Sequence, residues 1–232
     1  MRTVFVDYRI SDEEKENLIR LGCEVLIVPP SDCLYEAVCG HPDMLLNVVC
    51  KDTVMVHKNM DSEFIKALKA HDLNVLFSGN SLQSSYPFDV ILNALNLDNI
   101  FVHNVKYTDS VLFQLMNHKK IKNVKQGYTK CSTAVVSSKA VMTSDFGIAK
   151  CLEEEGIDVL LLPPGDILLP SLNYGFIGGC CGLIGDGVLA FYGNLNNYTY
   201  GGEVTEFLKK HKVESVFLSS GKLIDRGSIL SI

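Results

Sequence analysis

Apolar residues recur along the chain in a fixed order: two short β-type runs around a polar turn, an amphipathic stretch at helical spacing, then a further β-branched or leucine-rich run. Lys51-Asp52, Ser137-Ser138 and Gly185-Asp186-Gly187 are such turns. The helical stretches carry start signals. Ser11-Asp12-Glu13-Glu14 has the spelling of a capping box ahead of Leu18 and Ile19, with Gly22 as a stop. Asp61 precedes Phe64, Ile65 and Leu68; Thr108 precedes Val111, Leu112, Leu115 and Met116. Ser144 precedes Ile148, Cys151 and Leu152, and Gly201-Gly202 precedes Val204, Phe207 and Leu208. The pattern predicts five helices, each within a β-β-α-β block.

Short repeats support the block reading. Leu21 to Asp32 (LGCEVLIVPPSD) reappears as Glu155 to Asp166 (EGIDVLLLPPGD), a helix end, a strand and a Pro-Pro stop. Phe64 to His71 followed by Asn74 to Ser78 corresponds to Val204 to His211 followed by Glu214 to Leu218, and Asp43 to Asn47 resembles Asp89 to Asn93. Separate pairings in the same order are harder for chance to supply than one.

Four blocks run from about Gly40 to Gly79, Tyr86 to Lys125, Lys130 to Pro163 and Gly178 to Gly221. The fifth joins Asp225 to Ile232 with Met1 to Val28, so that the first and last strands pair and remove two exposed edges. The expected fold is α/β, a single domain over residues 1–232 built as a five-bladed α/β propeller. Its 232 residues divided by five give about 46 per block. An ordinary doubly wound α/β domain is the competing architecture, and β-β-α-β spacing differs from its strict alternation. The Gly/Pro/Ser-rich stretches, Ser78 to Pro87 and Pro163 to Gly179, read as block linkers.

Composition narrows the function. Hydrophobic residues make up 47% of the chain, ample for a core. The net charge of −6 argues against nucleic acid, and Lys119-Lys120-Ile121-Lys122 reads as a solvated turn. Met1-Arg2-Thr3 leads straight into a short strand and no apolar run reaches spanning length, so no membrane partner and a cytoplasmic location are expected. The eight cysteines are then expected to be reduced, and no C-x-x-C pair suggests zinc. Asn197-Tyr198-Thr199 is a glycosylation sequon in spelling only.

Chemistry-bearing residues collect where the first strand of each block begins: Gly40-His41-Pro42-Asp43, Pro87-Phe88-Asp89, Tyr128 to Ser132, Gly178 to Gly182 and Leu223 to Gly227. In a closed set of blocks these positions converge, gathering carboxylates, thiols and an imidazole. Counted back from the turn residues, Asp43, Cys131 and Cys181 fall at odd offsets and Cys180 at an even one. Strand alternation would put the first three on a shared face and favours Cys181 over Cys180, unless Gly178-Gly179 forms a bulge. Other readings stay open: His41 as a turn cap, His103 as a structural histidine, Cys180-Cys181 as small residues in tight packing, Asp89 and Asp225 as caps.

Five β-β-α-β blocks with Cys, His and acids at their entrances resemble the pentein fold of the guanidino-group-modifying enzymes, and the chain is similar throughout to an uncharacterised bacterial family assigned to that fold. Gly40-His41-Pro42-Asp43 resembles their Gly-His-x-Asp element, and Gly178-Gly179-Cys180-Cys181 their glycine-rich stretch before the nucleophile. The resemblance implies a cysteine-dependent hydrolase or amidinotransferase acting on a small, arginine-like guanidino compound through a covalent Cys intermediate. It implies Cys181 or Cys180 and His41 as catalytic groups, Asp43, Asp89, Asp225 and Cys131 as substrate-binding groups, and no metal or organic cofactor. The block order differs from the enzymes', whose His comes from a middle block and whose Cys lies near the C-terminus. Cys131 with His103 is therefore a further pairing. A non-catalytic binding protein, like the ribosome anti-association factor of the same fold, is the alternative.

Overall fold

A computed structural model describes residues 2–232. Strand β1 (Arg2–Asp7), helix α1 (Asp12–Arg20) and β2 (Cys23–Val28) come first. A short helix, α2 (Pro42–Leu45), introduces β3 (Leu46–Cys50), β4 (Thr53–Val56), α3 (Ser62–Ala70) and β5 (Asn74–Phe77). The same order returns in β6 (Leu95–Asn96), β7 (Ile100–His103), α4 (Ser110–Leu115) and β8 (Lys120–Asn123). It returns again in β9 (Thr133–Ser137), β10 (Ala140–Thr143), α5 (Phe146–Glu153) and β11 (Asp158–Leu161). Strands β12 (Cys181–Gly185) and β13 (Val188–Phe191), helix α6 (Gly201–Lys210) and β14 (Glu214–Phe217) form the last continuous block, and β15 (Leu230–Ser231) ends the chain.

These strands make five three-stranded sheets, ordered β3-β4-β5, β6-β7-β8, β9-β10-β11, β12-β13-β14 and β15-β1-β2. Within each, the first two strands are antiparallel and the second pair, joined through the helix, is parallel. The expected five blocks are present. The split block is also as expected: Val4 pairs with Ser231 and Phe5 with Leu230, and Thr3 and Ile232 exchange backbone hydrogen bonds of 3.3 and 3.0 Å.

Local chemistry explains the elements. In the capping box of α1 the Glu14 amide donates to Ser11 Oγ at 3.2 Å and the Ser11 amide to Glu14 Oε2 at 3.0 Å, a motif in which the cap alone contributes about 1 kcal/mol. Helices α4 and α5 start one residue later than Thr108 and Ser144 suggest, because the carboxylates of Asp109 and Asp145 take the orphan amides of the first turn. The repeats hold to the level of backbone angle: Gly22 and Gly156 sit at φ 82° and 76°, and Asp72 and Lys212 at 59° and 57°.

The block entrances begin as turns, helical turns or irregular backbone rather than as strand. Pro42 at the first helical position of α2 turns Asp43 and Met44 into a helix, and Gly178–Cys180 is a single 3₁₀ turn. The alternation argument therefore has strand under it only from Cys181 onward; Asp43 sits on a helical turn and Cys131 on the turn before β9.

Each block is stitched to the next. Asn47 Nδ2 donates to the Leu92 and Ala94 carbonyls at 3.0 Å. Its repeat equivalent Asn93 accepts at Oδ1 from the Lys130 and Cys131 amides at 3.0 and 3.1 Å. Gly178 packs against the Thr133 carbonyl, where a Cβ would lie 2.4 Å from the oxygen. The Ser228 and Ile229 amides donate to the Gly179 and Cys181 carbonyls, and the Asp43 amide returns to the Gly227 carbonyl at 3.1 Å. No helix among the described residues is long and apolar enough to cross a membrane.

Closure makes a testable demand. Deleting Leu230–Ile232 removes the buried Leu230 side chain and bares the edge of β1, so the unfolding free energy is expected to fall by at least about 2–5 kcal/mol, the range for losing one large buried aliphatic side chain. An unchanged urea midpoint would show that the terminal strand does not close the structure.

Candidate active site

All five blocks contribute to one buried polar node. Asp43, 1% exposed, accepts from Asn93 Nδ2 at 3.0 Å and from Ser228 Oγ at 2.6 Å. The Ser228 hydroxyl also lies 2.8 Å from the Gly178 carbonyl and accepts from Lys130 Nζ at 2.9 Å. Asp225 accepts from the Phe176 and Gly227 amides at 2.8 and 3.0 Å, and the Cys131 thiol points at its Oδ2 from 3.4 Å. His41 Nδ1 is 3.8 Å from Asp225 Oδ1, and neither ring nitrogen of this buried imidazole has a hydrogen-bond partner. One nitrogen, oxygen and sulfur from His41, Asp43 and Cys131 lie within 4.8 Å of one another. That spacing suits a cation, whether an organic one or a metal ion.

His41, Cys131 and Asp225 form the floor of a pocket of about 310 Å³. Tyr128, Phe176, Tyr174 and Tyr35 supply aromatic walls, and Leu169 and Leu172 close one side. Tyr128 is held in place from behind: its hydroxyl donates to Asp89 Oδ2 at 2.7 Å. Among the described lining residues none is Lys or Arg.

Burial sets the charge states. It pushes the Asp225 carboxyl up to about 7, with the neighbouring Asp43 charge adding to the effect. It raises Asp43 as well, against the pull of Lys130. The Cys131 thiol is driven well above its ordinary value by burial and then by the Asp225 and Asp43 charges. His41 is lowered to about 3 by burial, so at neutral pH its approach to Asp225 is a polar contact rather than an ion pair. Burial thus favours the neutral forms of Asp225, Cys131 and His41.

The structure draws together His41, Asp43, Cys131 and Asp225, with Asp89 one step behind through Tyr128. Cys180 and Cys181 lie elsewhere: both are buried, both thiols turn to the Ile177 carbonyl at 3.1 and 3.3 Å, and neither lines the pocket. His103 sits between Thr108 Oγ1 at 2.7 Å and the Gly127 carbonyl at 2.9 Å, a filled structural role.

The sequence profile of the Family of unknown function (DUF6873) matches residues 5–230. The chain belongs to this family. No curated protein matches it by sequence. Among solved structures it is similar to an amidinotransferase from Microseira wollei in the saxitoxin biosynthetic pathway, with 10% identity over 94% of this chain and 88% of that one and a TM-score of 0.57. It is also similar to a dimethylarginine dimethylaminohydrolase variant in an adduct with S-methyl-L-thiocitrulline, at 9% identity over 93% and 91% of the two chains with a TM-score of 0.55. A third is the agmatine deiminase of C. jejuni, at 11% identity over 94% and 86% with a TM-score of 0.53. The chain thus shares the pentein fold that the five blocks suggested.

Several site residues escaped sequence reasoning. Asn93 carried a signal, since it ends the repeat whose other copy ends at Asn47. Ser228, Lys130 and Phe176 carried none, because isolated polar and aromatic residues acquire a partner only in three dimensions.

The Asp225 carboxyl supplies a pH test. Held at about 7 when folded against about 3.9 unfolded, it keeps its proton over a window in which the unfolded chain has released it. Its contribution to stability is therefore full below the unfolded value and declines as pH rises through that window. The melting temperature of the wild type minus that of Asp225→Asn is expected to fall between about pH 4 and pH 7 and to level off above it; a constant difference would contradict the assignment.

Proposed function

We propose that this chain is a cysteine-dependent hydrolase or amidinotransferase that takes the guanidino group of a small compound onto the floor formed by Cys131, His41 and Asp225, with Asp43 buried behind it. The observation that carries the reading is the pairing of a buried acid, Asp225, and the Cys131 thiol beneath aromatic walls, with a second buried acid, Asp43, behind them, a setting that rewards a planar cation. A guanidinium can donate in-plane to Asp225 while its face lies against an aromatic ring, and each contact strengthens as water leaves. The likeness in fold to amidinotransferases, a dimethylaminohydrolase and a deiminase agrees with this substrate class.

The chemistry follows from the charge states. In the free site the thiol is protonated and inert. An arriving guanidinium makes ionised Asp225 and Asp43 favourable and lowers the cost of a thiolate beside it. The Cys131 proton passes to Asp225 or His41 as sulfur bonds to the guanidinium carbon. The carbon–nitrogen bond then breaks, the proton leaves with the departing amine, and a thiouronium remains on sulfur. Water releases it in a hydrolase; a second amine does so in an amidinotransferase. Neutral His41, with both nitrogens unpartnered, is placed to carry the proton.

Cys181, favoured by strand alternation, and Cys180 are the competing nucleophiles. A non-catalytic binding protein is the second reading, and what favours it is that the pull of Lys130 on the Cys131 thiol does not offset burial and the Asp225 and Asp43 charges, which hold that thiol well above its ordinary value.

Labelling separates these. A haloamidine probe is expected to modify Cys131, detected by mass spectrometry of the digested protein, with free guanidine slowing the reaction. Cys131→Ser should abolish labelling, and Asp225→Asn should slow it by about tenfold or more, the scale of one lost hydrogen bond to a charged group. Modification of Cys181 in its place would move the nucleophile; no modified cysteine in the folded protein would leave the binding reading.

A further inference from the structure

We infer that the guanidino compound this pocket takes has an apolar tail and no carboxylate, an inference that rests on the reading of the floor as a guanidinium site. The floor holds the ionisable acid, thiol and imidazole; on the way out the polar lining is the Asn173 amide and tyrosine hydroxyls, none of them a cation. Above Asp225 the walls are aromatic and aliphatic, and the run Tyr86, Tyr128, Phe176, Tyr174 has successive ring centroids 5.7, 6.2 and 6.5 Å apart. Apart from Asn173 the rim is apolar or aromatic where it meets water: Leu172 is 47% exposed, Tyr174 43% and Tyr35 37%. Large apolar side chains left in solvent around a concave site mark a surface awaiting an apolar ligand.

The rim segment is fixed rather than loose. The Leu168 amide donates to the Leu223 carbonyl at 2.9 Å, the Asp225 amide returns to the Leu168 carbonyl at 2.8 Å, and the Gly175 amide bonds the Ile167 carbonyl at 2.9 Å. Leu169, Leu172 and Tyr174 are therefore carried by the same backbone ladder that positions the acid beneath them.

A carboxylate on the ligand's tail would meet no counter-ion there. Every basic side chain near the floor is committed elsewhere: Arg9 to Asp7 and the Ala37 carbonyl, Arg226 to Glu14 and the Arg9 carbonyl, Lys130 to Ser228. An unpaired carboxylate pressed between Leu172 and Tyr174 would lose hydration without compensation. A butyl or phenyl tail would gain by covering the exposed leucine and tyrosine faces.

The test is calorimetric titration of the purified full-length protein with butylguanidine, agmatine and arginine. Butylguanidine is expected to bind at least about tenfold more tightly than arginine, which is about 1.4 kcal/mol. Arginine binding as tightly as butylguanidine, or more so, would overturn the inference and leave the guanidinium site standing. Binding by none of the three would overturn the site and the inference together. Leu172→Arg, at the exposed rim, adds the missing counter-ion and should raise arginine affinity by about tenfold; an unchanged arginine affinity would also count against the assignment.

Discussion

The Asp43 carboxylate, pinned between Asn93 and Ser228, is the contact on which the rest depends. It lies on the first complete block, its partners come from the second and the last, and through Ser228 it reaches Lys130 of the third and Gly178 of the fourth. A buried acid is costly unless its oxygens are occupied. Here they are occupied only when the first, second and last entrances arrive together, and Ser228 is in turn held by the third and fourth.

That arrangement leaves a second acid for chemistry. Asp225 is held by two backbone amides, which fix its direction without supplying a full positive charge, and burial, helped by the neighbouring Asp43 charge, pushes its carboxyl up to about 7. The consequence is a floor whose acid and thiol both lean toward their protonated forms. The Cys131 thiol is shielded from oxidants by the same burial that withholds its reactivity.

Closing the fold with both termini is what makes such a centre possible. Strand β1 finds β15 on one side and β2 on the other, so Asp225, Ser228 and Asp43 become neighbours although they lie at opposite ends of the chain. The linker between the third and fourth blocks, unremarkable in sequence, is tied back to Leu223 and Asp225 and becomes the pocket's apolar wall.

The block pattern was legible from residues alone because it is local: amphipathic spacing, capping carboxylates, the glycine stops at Gly22 and Gly156 and the paired repeats each act within a dozen residues. Pairing of the two ends was legible for the same reason, since half a block at each terminus leaves one strand short. The candidate acids, His41 and Cys131 could be picked out by position at the block entrances. What only tertiary structure decided was which of them face one another. Pro42 and Gly178 converted strand into helical turns and broke the alternation that pointed to Cys181, so the pocket thiol is the one whose turn, held by Asn93, leans over Asp225. Side-chain direction depends on the exact count of residues through an irregular turn, and that count is set by packing between blocks rather than by spacing within them.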